Sequence, residues 1–183
     1  MPRIIPVDPA VATGDTKKML DGVHTKLGVT PNLMRTLGVA PAALRAYLDF
    51  SNTLAAGVFD LKFREQIALA VAQTNGCGYC LAAHRTLGAL AGLTAEEMRR
   101  SRQSRSLDPK REAGLQFAHT VVTTRGQVSD RALATIREAG YTDAEIVEIV
   151  ANVVLNIFTN YLSLVADTAI DFPPVEDLVA AEA

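Results

Sequence analysis

Apolar and polar residues follow the period of an α-helix along most of this chain. Apolar side chains recur three or four positions apart, and strict strand-like alternation is nearly absent. The pattern predicts an all-α fold. We expect helices at about 15–27, after Thr30-Pro31, at about 41–56, 61–75 and 77–91, after Thr94, from Asp108-Pro109 to Arg125-Gly126, after Ser129, and at about 143–168.

Capping residues support these boundaries. Thr94-x-x-Glu97 and Thr142-x-x-Glu145 are capping-box patterns, in which two side chains bond the free backbone N–H groups at a helix start. Thr30-Pro31 predicts an N-cap followed by proline at the first helical position. We expect one compact helical domain over residues 1–183, whose acidic, alanine-rich tail at 174–183 frays.

Composition and charge argue against several classes of partner. Apolar residues make up 49% of the chain, but no apolar run approaches the length of a membrane span, so we expect no membrane partner. A net charge of −2 without a basic stripe argues against a nucleic-acid partner. The first residues do not resemble a secretory signal, and we therefore expect a cytoplasmic location. In that reducing compartment a Cys-x-x-Cys pair is usually catalytic or metal-binding.

Both cysteines lie in one short motif with a histidine. Cys77 and Cys80 are separated by Gly78 and Tyr79, and His84 follows four residues after Cys80. A helix that begins at this pair places the three side chains on one face and lowers a thiol pKa through its N-terminal N–H groups. Glu65, on the preceding predicted helix, can orient the imidazole or exchange protons with it. The set predicts a redox-active thiol with a proton relay.

Other interpretations of these residues are weaker. A structural Zn²⁺ site needs four ligands, and the remaining histidines, His24 and His119, have no companion cysteine, so we predict no metal. Asparagines recur every four residues along the last predicted helix. If buried, their amides must find hydrogen-bond partners, and we expect a structural network to motif-helix backbone or another subunit. These asparagines are Asn152, Asn156 and Asn160.

The pattern Glu-x11-Cys-x-Tyr-Cys-x3-His resembles the alkyl hydroperoxidase D (AhpD)-like group of the carboxymuconolactone decarboxylase superfamily, particularly its peroxidase-related members. The resemblance covers nearly the whole chain. It extends to Lys26-Leu-Gly-Val-Thr-Pro-Asn32, to Ser129-Asp130 with Ala139-Gly140-Tyr-Thr-Asp143, and to Thr159-Asn-Tyr161 through Asp171-Phe-Pro173.

The resemblance implies a thiol-dependent hydroperoxidase. Cys80 would be the sulfur that is first oxidised, Cys77 its proton donor and disulfide partner, and Glu65 with His84 the relay. The resemblance also implies an external dithiol reductant, such as a lipoyl-bearing protein. The sequence contains no flavin, haem or nicotinamide motif, and we expect no cofactor. Tyr79 departs from AhpD, which has histidine there; a tyrosine can still support the site by a hydrogen bond but does not titrate near neutrality.

Two other functions stay open. The dithiol could serve a non-enzymatic redox-sensing oligomer, or the protein could be a lyase similar to carboxymuconolactone decarboxylase, although those enzymes lack the Cys-x-x-Cys pair. We also expect a homo-oligomer, because small apolar residues are abundant and the asparagine stripe lies on an apolar helix.

Overall fold

The structure is a computed structural model that describes residues 1–175 and residue 178. Within that part of the chain it contains nine α-helices and no strand, which confirms the predicted all-α fold. The helices are α1 (Gly14–Leu27), α2 (Asn32–Leu37), α3 (Pro41–Ala55), α4 (Leu61–Thr74), α5 (Gly78–Leu90), α6 (Ala95–Arg102), α7 (Pro109–Thr123), α8 (Asp130–Glu138) and α9 (Asp143–Ala166).

The predicted helix ends are mostly correct because local capping determines them. Both capping boxes form, at the start of α6 and of α9. One N-terminus is shifted: Pro31 has an extended backbone, with ψ of 148°, so Asn32 is the first residue of α2 and Thr30 is not its cap. The backbone N–H of Asn32 instead donates to the Asp171 carboxylate, at 2.7 Å. A residue 139 positions away thus supplies the cap that local sequence reasoning assigned to Thr30.

Helix α4 lies between two apolar clusters and packs against α5, α6, α7 and α9. Its Leu69 belongs to a cluster with residues of α1, α2, α3 and α5, whereas its Ile67 and Val71 belong to a cluster with α7, α8 and α9. Full burial of each such side chain stabilises the fold by about 1.5–3 kcal/mol. A polar residue on this helix is therefore surrounded by core, and Glu65, which is 9% exposed, needs a partner there.

Helix α9 is long and apolar enough to cross a membrane by length and composition, with a mean hydropathy of 1.7 over an 18-residue window. The expectation that no segment approaches a membrane span is wrong by this criterion. The helix packs against α2, α3, α4, α5 and α7, and 44% of the window is buried within the protein. These contacts explain the apolar residues on the buried face of α9.

The segment after α9 folds back over the start of α5. The Asn32 side chain donates to the Ala169 carbonyl oxygen at 3.0 Å, and Arg85 donates to the carbonyl oxygen of Pro174 at 2.8 Å. The ring of Phe172 packs edge-on against Tyr79, with centroids 5.8 Å apart. These contacts hold residues 167–174 beside the Cys-x-x-Cys motif. The predicted fraying of 174–183 falls mainly on residues outside the described part of the chain.

Candidate functional site

Helices α4 and α5 bring Glu65 and His84 together. Nδ1 of His84 lies 2.8 Å from Oε2 of Glu65, and both side chains are largely buried. Burial by itself lowers the pKa of His84, but the charge of Glu65 and this hydrogen bond outweigh it and raise the pKa above the ordinary value of 6.5. The negative charge that Cys77 carries when ionised adds to the rise. The pair therefore favours the protonated imidazole.

Cys77 occupies the N-cap position of α5. Gly76, with φ of +66°, makes the left-handed turn that ends the α4 connection and leads into the cap. The Cys77 sulfur accepts the backbone N–H of Cys80 at 3.3 Å, as a capping oxygen does in other helices. Both cysteines are free thiols and each is 1% exposed. The motif thus starts its helix as predicted, with Cys77 at the cap and Cys80 within the first turn.

The two thiols differ in acidity. A hydrogen bond from the Cys80 thiol is the largest influence on Cys77 and lowers its pKa to about 7. The Cys80 backbone N–H, the Ser163 hydroxyl and the charge of His84 act in the same direction, whereas burial opposes them. For Cys80 the hydrogen bond to Cys77, burial and the Cys77 charge all raise the pKa, and only Asn160 lowers it. Cys77 is therefore the more acidic thiol of the pair.

Helix α9 supplies one polar side chain to each sulfur. Asn160 was predicted from the sequence, but with backbone or another subunit as its partner, and Ser163 was missed. Asn160 interacts with Cys80, and Ser163, three residues later, interacts with Cys77. Both α9 residues are buried. Their spacing of three places them on one face of the helix. Two polar residues on one face of an apolar helix are the feature of the sequence from which this contact with the motif could have been predicted.

The rest of the asparagine stripe has a different role from the one expected. The side-chain amides of Asn152 and Asn156 donate to carbonyl oxygens one turn earlier in α9, at 2.8 and 2.9 Å. Neither the motif helices nor another subunit provides these acceptors. Only Asn160 reaches the motif region, where its Oδ1 accepts from the Asn75 side chain at the end of α4.

A cleft of about 410 Å³ opens at the start of α5. Cys77 contributes to its wall, whereas Cys80 does not. Access from this cleft therefore favours Cys77 as the sulfur that meets a substrate. The lining residues are Met1, Pro2, Cys77, Gly78, Tyr79, Ser163, Leu164, Asp167, Thr168, Ala169 and Ile170.

Tyr79 supports the site by holding its wall. Its hydroxyl oxygen accepts the backbone N–H of Leu33 at 3.1 Å, and its ring packs against Phe172. Burial is the main cause of a strongly raised pKa for its phenol, which stays neutral at physiological pH. Tyr79 is therefore a neutral hydrogen-bonding residue that links α5 to α2 and to the segment after α9.

The other two histidines lie in different surroundings. Nδ1 of His24 is 3.5 Å from the Thr30 hydroxyl, and Nδ1 of His119 is 3.0 Å from the Thr74 hydroxyl. Across residues 1–175 and 178, no three His, Cys, Asp or Glu side chains are grouped as a metal site would require.

An aromatic residue on α3, Tyr47, is also coupled to the site. Burial raises the pKa of its phenol to about 12, and the charges of Glu65 and Cys80 add to the rise.

Comparison with known proteins agrees with the resemblance drawn from the motif. The carboxymuconolactone decarboxylase family model matches residues 41–120, the part of the chain that contains α4 and α5. No curated protein matches the chain.

Solved structures share the fold. A peroxidase-related protein from Ralstonia eutropha JMP134, described as an alkylhydroperoxidase AhpD core, superposes with a TM-score of 0.83 at 23% identity, over 93% of this chain and 92% of that one. A peroxidase-related protein from Silicibacter sp. TM1040 gives 0.79 at 23% identity, over 92% and 91%. A cysteine-to-alanine variant of the debrominase Bmp8, in complex with 2,3,4-tribromopyrrole, gives 0.79 at 18% identity, over 92% and 91%. At these identities the likeness concerns the fold.

Proposed function

We propose that this chain, whose residues 41–120 match the carboxymuconolactone decarboxylase family model and whose fold is AhpD-like, is a thiol-dependent hydroperoxidase. One observation carries the proposal: a Cys-x-x-Cys pair with one acidified thiol faces a cleft and is electrostatically coupled to a buried Glu65–His84 pair. A low-pKa thiol within reach of a substrate is what cleavage of an O–O bond by sulfur requires.

In the first step the Cys77 thiolate attacks the terminal oxygen of a hydroperoxide. The O–O bond breaks, an S–O bond forms, and the departing alkoxide takes a proton supplied by His84 to become an alcohol. Cys77 is oxidised to a sulfenic acid and the hydroperoxide is reduced. This proposal gives Cys77 the role that the resemblance gave to Cys80, because Cys77 has the lowered pKa and lines the cleft.

In the second step the Cys80 sulfur attacks the Cys77 sulfur. The S–S bond forms, the S–O bond breaks, and the hydroxide leaves with the proton of Cys80 as water. An external dithiol then reduces the disulfide and is itself oxidised to a disulfide. A lipoyl-bearing protein is the proposed source of that dithiol, and a reducing cytoplasm is the compartment that such a cycle needs.

Steady-state turnover tests the proposal. Reduced protein is mixed with cumene hydroperoxide and dihydrolipoamide, and loss of hydroperoxide is followed. Many equivalents consumed per protein support a peroxidase, whereas one equivalent followed by a stable disulfide indicates the redox sensor. Release of bromide from 2,3,4-tribromopyrrole, without loss of hydroperoxide, would instead favour a dehalogenating enzyme.

The pH dependence of Cys77 alkylation tests the assignment of the thiolate. Because its pKa is lowered from 9.0 to about 7, the fraction of Cys77 present as thiolate falls as the pH drops through about 7. The rate of alkylation by iodoacetamide, measured by peptide mass spectrometry in the Cys80→Ala variant and in the wild type, should have its midpoint near 7 in the wild type. The Cys80→Ala variant has no donor at position 80, and its midpoint should move upward. A wild-type midpoint near 9 would contradict the assignment.

We also propose that the protein is a homo-oligomer that pairs through α9. The helix exposes apolar side chains spaced seven, four, three and four residues apart, the heptad spacing of a helix that packs against another helix. These side chains are Val147, Val154, Phe158, Tyr161 and Val165, with exposures from 40% to 69%.

Light scattering of the full chain should therefore give a multiple of 19.6 kDa. The molecular mass of the Phe158→Glu variant should be that of a single chain. The control Val58→Glu, at an exposed apolar residue outside α9, should keep the wild-type mass. A wild-type mass of one chain would reject the oligomer.

A further inference from the structure

One amide group in the core lacks an acceptor. Asn160 is fully buried, with 0% of its surface exposed. Its Oδ1 accepts a hydrogen bond from Nδ2 of Asn75 at 2.9 Å, which orients the side chain. Its own Nδ2 is also buried and donates no hydrogen bond to any described residue. A buried donor without an acceptor is costly, and such groups are often found at functional sites.

The neighbouring asparagines on α9 do not share this property. The amide groups of Asn152 and Asn156 both donate to carbonyl oxygens of α9 itself. The stripe therefore contains two residues that are satisfied within their own helix and one, Asn160, that is not. This difference provides matched control positions.

The unpaired amide belongs to a side chain beside the motif, because Asn160 bonds Asn75, two residues before Cys77. Asn160 is the one group that favours ionisation of the Cys80 thiol, against Cys77 and burial. A neutral thiol is a weak hydrogen-bond acceptor, but a thiolate is a strong one. The amide thus lacks a good partner while Cys80 is protonated and gains one when Cys80 becomes an anion. The other ionisable groups coupled to Cys80 are Cys77 and the two phenols of Tyr47 and Tyr79, which are neutral at physiological pH.

We propose that Asn160 stabilises Cys80 as a thiolate, and so makes Cys80 the leaving sulfur when an external dithiol reduces the Cys77–Cys80 disulfide. The inference rests on the proposed thiol cycle. The first thiolate of the dithiol attacks Cys77, the sulfur on the cleft; the Cys77–Cys80 bond breaks and its electron pair passes to Cys80. The second thiol, as thiolate, attacks the mixed disulfide and releases Cys77. The reductant leaves as a cyclic disulfide, and its protons pass to the two protein sulfurs or to solvent.

The test measures disulfide reduction without any peroxide. Protein oxidised with diamide is mixed with dithiothreitol, and free thiols are alkylated and counted by mass over time. A hydrogen bond to a charged group has an effect of about 10- to 100-fold on a rate. Reduction should slow by that factor in Asn160→Ala and in Asn160→Leu, which is close to asparagine in size and cannot donate. In Asn156→Ala it should stay within about twofold of wild type.

A second measurement separates this role from a packing role. In the Cys77→Ser background, the pH midpoint for alkylation of Cys80 should rise when Asn160→Leu is added and should not move with Asn156→Ala. Equal reduction rates for wild type and both Asn160 variants, or an unchanged midpoint, would overturn the inference. If Asn160→Ala does not fold, Asn160→Leu is the variant that tests the inference. If diamide forms no disulfide, the alkylation midpoint tests it.

The outcome is independent of the peroxidase proposal. If the wild type does not turn over hydroperoxide but its disulfide is reduced more slowly in the Asn160 variants, the role of Asn160 is supported and the peroxidase proposal is rejected. If the wild type turns over hydroperoxide and the Asn160 variants are reduced at the normal rate, the peroxidase proposal is supported and the role of Asn160 is rejected.

Discussion

Replacing either cysteine with serine should reduce hydroperoxide turnover by a factor of about 10³ to 10⁶, the range seen when an enzyme loses its nucleophile. The Cys77→Ser variant loses the thiolate that meets the substrate. The Cys80→Ser variant keeps that thiolate but cannot close the disulfide, so each protein should consume about one equivalent of hydroperoxide. The measurement is hydroperoxide loss with dihydrolipoamide as the reductant.

Thr86→Ser is a suitable control, because Thr86 bonds only the carbonyl oxygen of Ala82 in its own helix. It should retain wild-type turnover. Sustained turnover by both cysteine variants would show that the reaction does not use the dithiol, whereas sustained turnover by Cys80→Ser alone would show that Cys80 is dispensable as the resolving sulfur.

Removing either residue of the Glu65–His84 relay should have the second largest effect on the rate of the reaction. His84→Ala and Glu65→Gln should each slow the oxidation of Cys77 by a factor of about 10² to 10⁴, the usual contribution of a positioned acid or base. Glu65 acts by raising the pKa of His84, so without Glu65 the imidazole should lose its proton at a lower pH. The upper pH limit of activity should therefore move downward in Glu65→Gln. Stopped-flow measurement of Cys77 oxidation across pH checks both results.

The double variant distinguishes a relay from two separate contributions. If Glu65 and His84 act as one unit joined by their 2.8 Å contact, the double variant should be little slower than the slower single variant. Barrier increases that simply add would mean that the two residues work independently.

Local features of the sequence were enough to predict the helices. Asp60 caps α4 by accepting the Phe63 N–H at 2.8 Å, and Ser129 caps α8 in the same way, because each interaction spans only three residues. The contact between Glu65 and His84 was also predictable, since the motif places them on consecutive helices that must pack together. Whether these residues perform the predicted chemistry stays a prediction.

The division of roles between the two cysteines could not be derived from spacing. It depends on the hydrogen bond between the two thiols, on a smaller contribution from Ser163 and on the cleft beside Cys77, which is lined by Ser163 and other residues between 163 and 170. Those residues are more than 80 positions from the motif, and local patterns do not specify how α9 packs across α5. The unpaired amide of Asn160 has the same origin, because all three asparagines of the stripe look alike in sequence and only their surroundings differ.

Trapping of the first oxidation product tests the central claim most directly. The Cys80→Ser and Cys77→Ser variants are each treated with one equivalent of cumene hydroperoxide and a sulfenic-acid reagent, and the labelled peptide is identified by mass spectrometry. We expect rapid labelling of Cys77 in Cys80→Ser protein and little labelling in Cys77→Ser protein, because the remaining Cys80 has a raised pKa and does not line the cleft. Rapid labelling of Cys80, with none on Cys77, would contradict the claim.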